Sequence, residues 1–290
     1  MTDTIDPILN DRVSRRAVLA AASVVPATAL VAAHAQSSGN APLSSGRTHN
    51  KAALVTGASR GIGAAIAQRL ARDGYQVVIN YRGSKDQAVA LVREIQRAGG
   101  QALEAQADVG DSQAVRQLFD TCEQSFGGID VVVANAGVAH TVPFAEMTDE
   151  DFEHIMNVNI RGSFYTLREA ARRVREGGHI IALSSSLTVL RSPGSGPYAA
   201  SKAALEVFVN VLAKELAGRQ ISVNAVAPGP VNTSLFTTGK TPEQIAAVAA
   251  RTPHKRLGEP ADIAAVVAAL CGPDCAWING QVIFANGGLV

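Results

Sequence analysis

Cysteine is scarce in this chain: Cys122, Cys271 and Cys275 are the only three among 290 residues. They define no disulfide framework, and no histidine or carboxylate constellation accompanies them to suggest a metal. Cys271 and Cys275 have the spacing of one helical turn, but Gly272 and Pro273 between them predict a break. Ordinary buried or surface thiols are therefore expected. An excess of one charge is missing too. The formal net charge is +1 with acidic and basic residues mixed throughout, which leaves no nucleic-acid footprint and no charged tail. The basic group Arg168, Arg172, Arg173 and Arg175 reads as the exposed face of a helix. A second domain and a long low-complexity insertion are also lacking. What remains is a chain 47% hydrophobic, long enough to bury one substantial core.

The first 50 residues are different material. Ser14-Arg15-Arg16 precedes an alanine-rich apolar run, residues 17–33, which is interrupted by Pro26 and followed by His34, Ala35 and Gln36. A charged segment, an apolar segment and a small-residue cleavage site in that order predict an exported precursor. The run is shorter than the roughly 20 apolar residues of a spanning helix, which weighs against a membrane anchor. It also has no polar face for an amphipathic arm. The paired arginines resemble the twin-arginine class, which carries folded proteins across a membrane. The expected organisation is a signal over residues 1–35, a linker over 36–50 and a folded domain over 51–290. The export machinery would then be a partner and the periplasm or exterior the location, with the cytoplasm as the alternative if the signal goes unused.

From residue 51 the pattern alternates. Apolar strand candidates fall at 52–56, 76–81, 101–108, 130–135, 179–184, 221–225 and 281–285. Helical spacing marks 62–72, 85–97, 113–125, 149–175 with a break near 157–159, 198–216 and 260–270. A mobile-looking segment covers 232–257. Repeated strand-helix units require helices on both faces of a mostly parallel sheet. The predicted fold is a single doubly wound α/β domain of the Rossmann type with seven strands.

Between the first strand and first helix lies Thr56-Gly57-Ala58-Ser59-Arg60-Gly61-Ile62-Gly63. Gly57 permits a tight turn, and Gly61 and Gly63 keep side chains away from a close ligand. The helix N-terminus then offers free N–H groups to phosphate. A site selecting NAD(H) places an acidic residue at the end of the second strand, and here Asn80-Tyr81-Arg82 contains none. Arg60 and Arg82 could instead pair with an added ribose phosphate. NADP(H) is therefore preferred, with NAD(H) as the alternative.

Further along come Asn135-Ala136-Gly137, Asn159, Ser185, Tyr198-x-x-x-Lys202 and Pro228-Gly229. With the glycine turn, these motifs make residues 51–290 resemble the short-chain dehydrogenase/reductase family. Ser185 is selected over Ser184 and Ser186 because it stands thirteen positions before Tyr198, the family spacing. The resemblance implies reversible oxidation of alcohols or reduction of carbonyls. Tyr198 is then the acid/base, Ser185 holds and polarises the substrate oxygen, and Asn159 positions a proton relay to Lys202. Lys202 also binds the nicotinamide ribose, one helical turn beyond Tyr198. A free tyrosine has a pKa of about 10, and the lysine charge is expected to lower it. By the same resemblance Asp108 and Val109 contact adenine, and Asn135, Ala136 and Gly137 line the groove. Pro228, Gly229, Val231 and Thr233 lie near the nicotinamide and its phosphate. Asn286 replaces the acidic residue common in the family before the terminal glycine pair Gly287-Gly288.

The substrate is less legible. His140 either borders the pocket or is a surface loop residue, and Leu187, Leu190, Leu235 and Phe236 suggest an apolar wall. The leading reading is an NADP(H)-dependent carbonyl reductase acting on a small-molecule carbonyl or alcohol. Two alternatives stand beside it. A non-redox lyase of the same fold is opposed by the intact glycine pattern and Lys202. A cofactor-binding regulator would bind NADPH without turnover. The resemblance also implies a homodimer or homotetramer, with residues 160–175 and 203–217 as interface candidates.

Overall fold

The computed structural model describes residues 51–290. The signal and linker expected over residues 1–50 lie outside the described residues. Seven strands form one sheet in the order β3-β2-β1-β4-β5-β6-β7. They are β1 (Ala52–Val55), β2 (Gln76–Tyr81), β3 (Gln101–Gln106), β4 (Ile129–Ala134), β5 (Val174–Leu183), β6 (Ser222–Pro228) and β7 (Val282–Ala285). Every neighbouring pair is parallel. A parallel sheet must be covered on both faces, and the apolar side chains divide accordingly. Val55, Val77, Val131 and Ile181 belong to the core on one face, and Leu54, Val78, Val132 and Ile180 to the core on the other. This alternation follows from the two-residue period of a strand.

The longer helices are α1 (Gly61–Arg72), α2 (Lys85–Arg97), α3 (Ser112–Phe126), α4 (Asp149–Ile155) and α5 (Gly162–Arg173). A short α6 (Leu187–Leu190) precedes α7 (Gly196–Glu215), and α8 (Ser234–Thr237), α9 (Pro242–Arg251) and α10 (Pro260–Leu270) complete the set. The break expected near 157–159 is a π-helical turn, Met156–Arg161, continuous with α4 and α5. Helix α5 stops at Arg173, where the backbone turns extended at Val174. The sequence reading carried the helix two residues too far because Val174 and Arg175 have helical spacing, yet Val174 pairs with Ile129 of β4.

The segment 232–257 is more ordered than its composition suggests. Thr241 caps α9 and exchanges bonds with Gln244 in a capping box, a signal written in Thr241-Pro242-Glu243-Gln244. None of the α9 residues is buried, so its local chemistry rather than core packing holds it helical.

The arginine group divides: Arg172 and Arg175 are exposed, and Arg168 and Arg173 are partly buried. Glu169 is buried and receives Arg172 at 3.0 Å and Arg173 at 3.2 Å. Arg173 also reaches Asp120 and Glu123 on α3, and Arg175, now on β5, reaches Asp130. Glu169 draws Arg172 and Arg173 because a buried carboxylate must be compensated by nearby cations. The cysteines are free thiols, and the chain between Cys271 and Cys275 breaks as expected, with α10 ending at Leu270 and a 3₁₀ turn at Pro273–Cys275.

Candidate active site

Strand order reverses between β1 and β4, the position where a doubly wound sheet opens a crevice at its strand C-termini. The turn after β1 is tied down from two sides. Asn80 is buried on β2 and accepts the Gly57 N–H at 3.0 Å, while its amide donates to Ala107 at 3.1 Å. Asn135 donates to the carbonyls of Thr56 at 2.8 Å and Gly57 at 3.1 Å. Thr56, absent from the site expected from sequence, accepts the N–H groups of Asn135 and Ala136, each at 3.0 Å.

The three glycines divide their roles differently from the expectation. Gly57 turns with φ +60°, and a Cβ there would meet the Ala136 backbone at 2.9 Å. A Cβ on Gly63 would lie 2.5 Å from Asn135 Nδ2 and 2.7 Å from the Gly57 carbonyl. Gly63 therefore serves close packing of helix against turn, and its bare face points into the protein. Gly61 lies beside the Thr233 methyl, which brings the segment after β6 onto the glycine turn. At the start of α1, Arg60 is extended and provides no side-chain cap, and the first turn carries no acidic residue. Those N–H groups face outward without a side-chain acceptor.

Around that turn, Ser59 and Ile62 are half-buried and Arg60 is exposed. Arg82 is exposed and pairs with Asp108 at 3.2 Å, and Asp108 also accepts the Gly110 N–H at 2.9 Å. Val109 is buried against Gly162. The side chains of Asn80 and Tyr81 are buried at the end of β2, Asn80 as the tie described above and Tyr81 within the core. Adjacent strand residues face opposite sides of the sheet, and helices cover both sides, so both side chains are buried while Arg82, beyond the strand end, is exposed.

The reacting groups converge from three elements. Asn159 is fully buried in the π-turn. It exchanges two hydrogen bonds with Val138, accepting its N–H and donating to its carbonyl, each at 2.9 Å, and donates to Ser201 Oγ at 3.0 Å. Ser201, also missed from sequence, donates back to the Tyr198 carbonyl at 2.6 Å. Tyr198, Ser201 and Lys202 share α7, and Ser185 follows β5. Tyr198 and Ser185 are joined by a side-chain hydrogen bond. Lys202 is 4% exposed and donates to the Leu183 carbonyl at 2.7 Å. A Cβ on Gly137 would lie 3.2 Å from Lys202 Nζ and 3.4 Å from Asn159 Oδ1, so these two polar groups flank a spot that only glycine leaves open.

Burial governs the acid–base properties. It pushes the Tyr198 hydroxyl above its usual value, and the Ser185 hydrogen bond opposes the shift. It pushes the Lys202 ammonium down to about 8. The expected lowering of Tyr198 by Lys202 is therefore outweighed: the ammonium turns to the Leu183 carbonyl and stands 5.9 Å from the centre of the tyrosine ring.

The opposite flank is formed by Pro228, Gly229 and Val231. Gly229 donates to Ala285 at 3.1 Å, and a Cβ there would meet Asn286 at 2.9 Å. Asn286 donates to Ser186 Oγ at 3.2 Å and accepts the Gly288 N–H at 2.9 Å. The sequence left this asparagine without a defined contact, and the structure gives it the serine loop. Of the apolar candidates, Leu187 and Leu190 sit half-buried on α6, and Leu235 and Phe236 lie on α8, with Leu235 exposed. His140 is exposed, 3.0 Å from Asp151 at the start of α4.

Relatives carry the same architecture. A family model described as Enoyl-(Acyl carrier protein) reductase matches residues 57–290. An NADPH-dependent aldehyde reductase-like chloroplastic protein of Arabidopsis thaliana is 42% identical over 83% of this chain and 94% of its own length. A versicolorin reductase of Emericella nidulans is 41% identical over 83% of this chain and 96% of its own. Among solved structures, a short-chain dehydrogenase from Burkholderia cenocepacia in complex with NADP superimposes with a TM-score of 0.79 at 40% identity, covering 84% of this chain and 99% of that one. The chain belongs to the short-chain dehydrogenase/reductase family. It is an NAD(P)-dependent oxidoreductase of that family.

Proposed function

We propose that the protein is an NADP(H)-dependent reductase of small-molecule carbonyl compounds that runs in reverse as an alcohol dehydrogenase. The observation carrying this reading is the convergence of the Ser185 and Tyr198 side chains, with the buried Lys202 one helical turn along α7 and Asn159 tied to the same helix through Ser201. NADP(H), when bound, supplies the hydride.

The residues present fit that cofactor. The α1 N-terminus has neither a side-chain cap nor an acidic first turn, which suits a phosphate, and Arg60 and Arg82 are exposed beside it. Asp108, Val109, the Asn135-Ala136-Gly137 segment and the stretch from Pro228 through Val231 to Thr233 would border the same groove. During reduction Tyr198 gives its hydroxyl proton to the substrate oxygen, and Ser185 donates a hydrogen bond to that oxygen as charge develops on it. Burial raises the Tyr198 pKa, so the hydroxyl carries its proton near neutrality and can serve as the acid in reduction. Lys202, with its pKa brought to about 8, can hold or release a proton at Nζ beside Asn159 Oδ1.

The test is absorbance at the NADPH band with purified residues 36–290 and a panel of ketones, aldehydes and enoyl thioesters. Oxidation with carbonyls supports the reading. Oxidation with enoyl thioesters alone replaces it with reduction of a carbon–carbon double bond, and binding without oxidation replaces it with a regulator. Cofactor choice has its own variant. Replacing both Arg60 and Arg82 by alanine is expected to lower kcat/KM with NADPH by roughly tenfold or more, since a hydrogen bond to a charged group contributes about 1.5–3 kcal/mol. Values with NADH should barely move, and an equal loss with both cofactors would remove the arginines from phosphate selection.

Export by the twin-arginine route is supported by Ser14-Arg15-Arg16 ahead of the apolar run. Changing Arg15 and Arg16 to lysine is expected to move the protein from the periplasmic to the cytoplasmic fraction, and unchanged fractionation would count against that route. Pairing of two copies through α5 and α7 is supported by the exposed Phe164, Val207 and Val211, with a homotetramer as the larger form.

A further inference from the structure

Three consecutive serines follow β5, and each is bound to a different part of the molecule. Ser186 takes the Asn286 amide from the terminal segment, and its N–H donates to the Pro228 carbonyl at 2.9 Å. Ser185 bonds to Tyr198. Ser184 donates to Glu206 Oε1 at 2.6 Å, a length typical of a hydroxyl bound to a carboxylate. Four residues on, Thr188 Oγ1 lies 3.0 Å from the same Glu206 oxygen and 2.9 Å from the Ser185 carbonyl, sharing its one proton between them. A single carboxylate oxygen therefore holds the loop on both sides of Ser185.

Glu206 lies one turn beyond Lys202 on α7, as Lys202 lies one turn beyond Tyr198, so the three share one stripe of the helix. The stripe presents acid/base, lysine and carboxylate in order, and only the carboxylate reaches the loop on both flanks of the reacting serine. Misplacement of a reacting group by about 1 Å can cost on the order of a hundredfold in rate. Backbone bonds from Ser184 to Val226 at 2.8 Å and from Ser186 to Pro228 at 2.9 Å hold the β6 side of the loop, and the Ser185 Oγ is met by the Leu187 N–H at 3.2 Å. The Glu206 carboxylate supplies the side-chain tie to the helix that carries Tyr198.

We propose that Glu206 is a positioning residue, which fixes Ser185 against Tyr198 by clamping Ser184 and Thr188 to the helix that carries Tyr198. This inference rests on the reductase reading for its effect on rate, but the clamp itself does not require turnover.

The experiment is a double-mutant cycle between Glu206→Leu and Ser185→Ala in the mature protein, with NADPH and a ketone from the panel. Glu206→Leu alone is expected to lower kcat by roughly ten- to a hundredfold with NADPH affinity held. In the Ser185→Ala background it should have little further effect, because its route of action is already gone. A merely structural glutamate would lower activity equally in both backgrounds, and that additive result would overturn the proposal. Hydrogen exchange over residues 184–190 supplies a readout without turnover. Protection is expected to fall in Glu206→Leu and to be largely restored in Glu206→Gln, which keeps an acceptor oxygen. Unchanged protection in Glu206→Leu would overturn the clamp even in an active enzyme. Lack of turnover by the unaltered protein, with the loss of protection intact, would instead overturn the reductase reading. If Glu206→Leu fails to fold, Ser184→Ala with Thr188→Val removes the same bonds from the loop side and is judged by the same cycle.

Discussion

Tyr198→Phe is expected to lower kcat for carbonyl reduction by roughly a hundred- to ten-thousandfold, the range for removing a positioned general acid. The substitution keeps the ring and removes only the hydroxyl, so the packing of α7 is retained. Ser185 loses its tyrosine partner but keeps the Leu187 N–H and the clamp on its loop. NADPH affinity should stay within roughly fivefold, because the lost atom acts on the substrate oxygen in the transition state. Stopped-flow oxidation of bound NADPH separates the two effects. A variant that retained a tenth or more of the original rate would remove Tyr198 from the proton-transfer role.

Lys202→Met separates stability from turnover. Lowering the lysine pKa from 10.5 to about 8 by burial destabilises the charged folded form by roughly 3 kcal/mol. The sign follows from proton binding. Between pH 8 and 10.5 the unfolded chain holds this proton more tightly than the folded one, so stability contributed by this site rises as pH rises through that window. It is lowest below pH 8, where the charged group must be buried. Methionine removes that cost but leaves the Leu183 carbonyl without its donor, a loss of about 1–3 kcal/mol. At pH 7 the variant is therefore expected to be as stable as the unaltered protein or somewhat more so, while turnover falls by a hundredfold or so because the proton store beside Tyr198 is gone. Denaturant unfolding at several pH values checks the sign. The stability of the unaltered protein relative to Lys202→Met should climb from pH 8 to 10.5, and a flat difference would mean that the lysine titrates as it does in water.

The sequence disclosed the parts of this molecule that repeat a simple period or stand at fixed spacing. The seven strands and their mostly parallel arrangement came from apolar runs alternating with helical stripes, and the glycine turn from its own motif. Asn159, Ser185, Tyr198 and Lys202 came from the resemblance to the short-chain dehydrogenase/reductase family, and the structure brings them together. What stayed hidden depends on direction in space. Asn80 and Tyr81 end a strand that is covered on both faces, so their side chains are buried on opposite sides of the sheet. Glu169 gave no sign of burial, because helical spacing marks which residues share a face and says nothing of α3 arriving with two more carboxylates. Glu206 and Asn286 reach the serine loop across 18 and 100 residues of sequence, distances at which no local pattern survives. Thr241 and Gln244 are the opposite case: their capping signal was written locally and was passed over because the surrounding segment is polar.

The π-turn at Met156–Arg161 gives chain length a particular meaning here. Each residue of an α-helix advances about 100° around the axis, and a wide turn accommodates one residue that a regular helix would not. Deleting a single residue from this turn would let the two flanking helices fuse into one regular rod. Asn159 would then swing by about a quarter of a revolution, away from Val138 and Ser201, with every remaining side chain chemically unchanged. The count of residues between Ile155 and Gly162 is the quantity that must be kept.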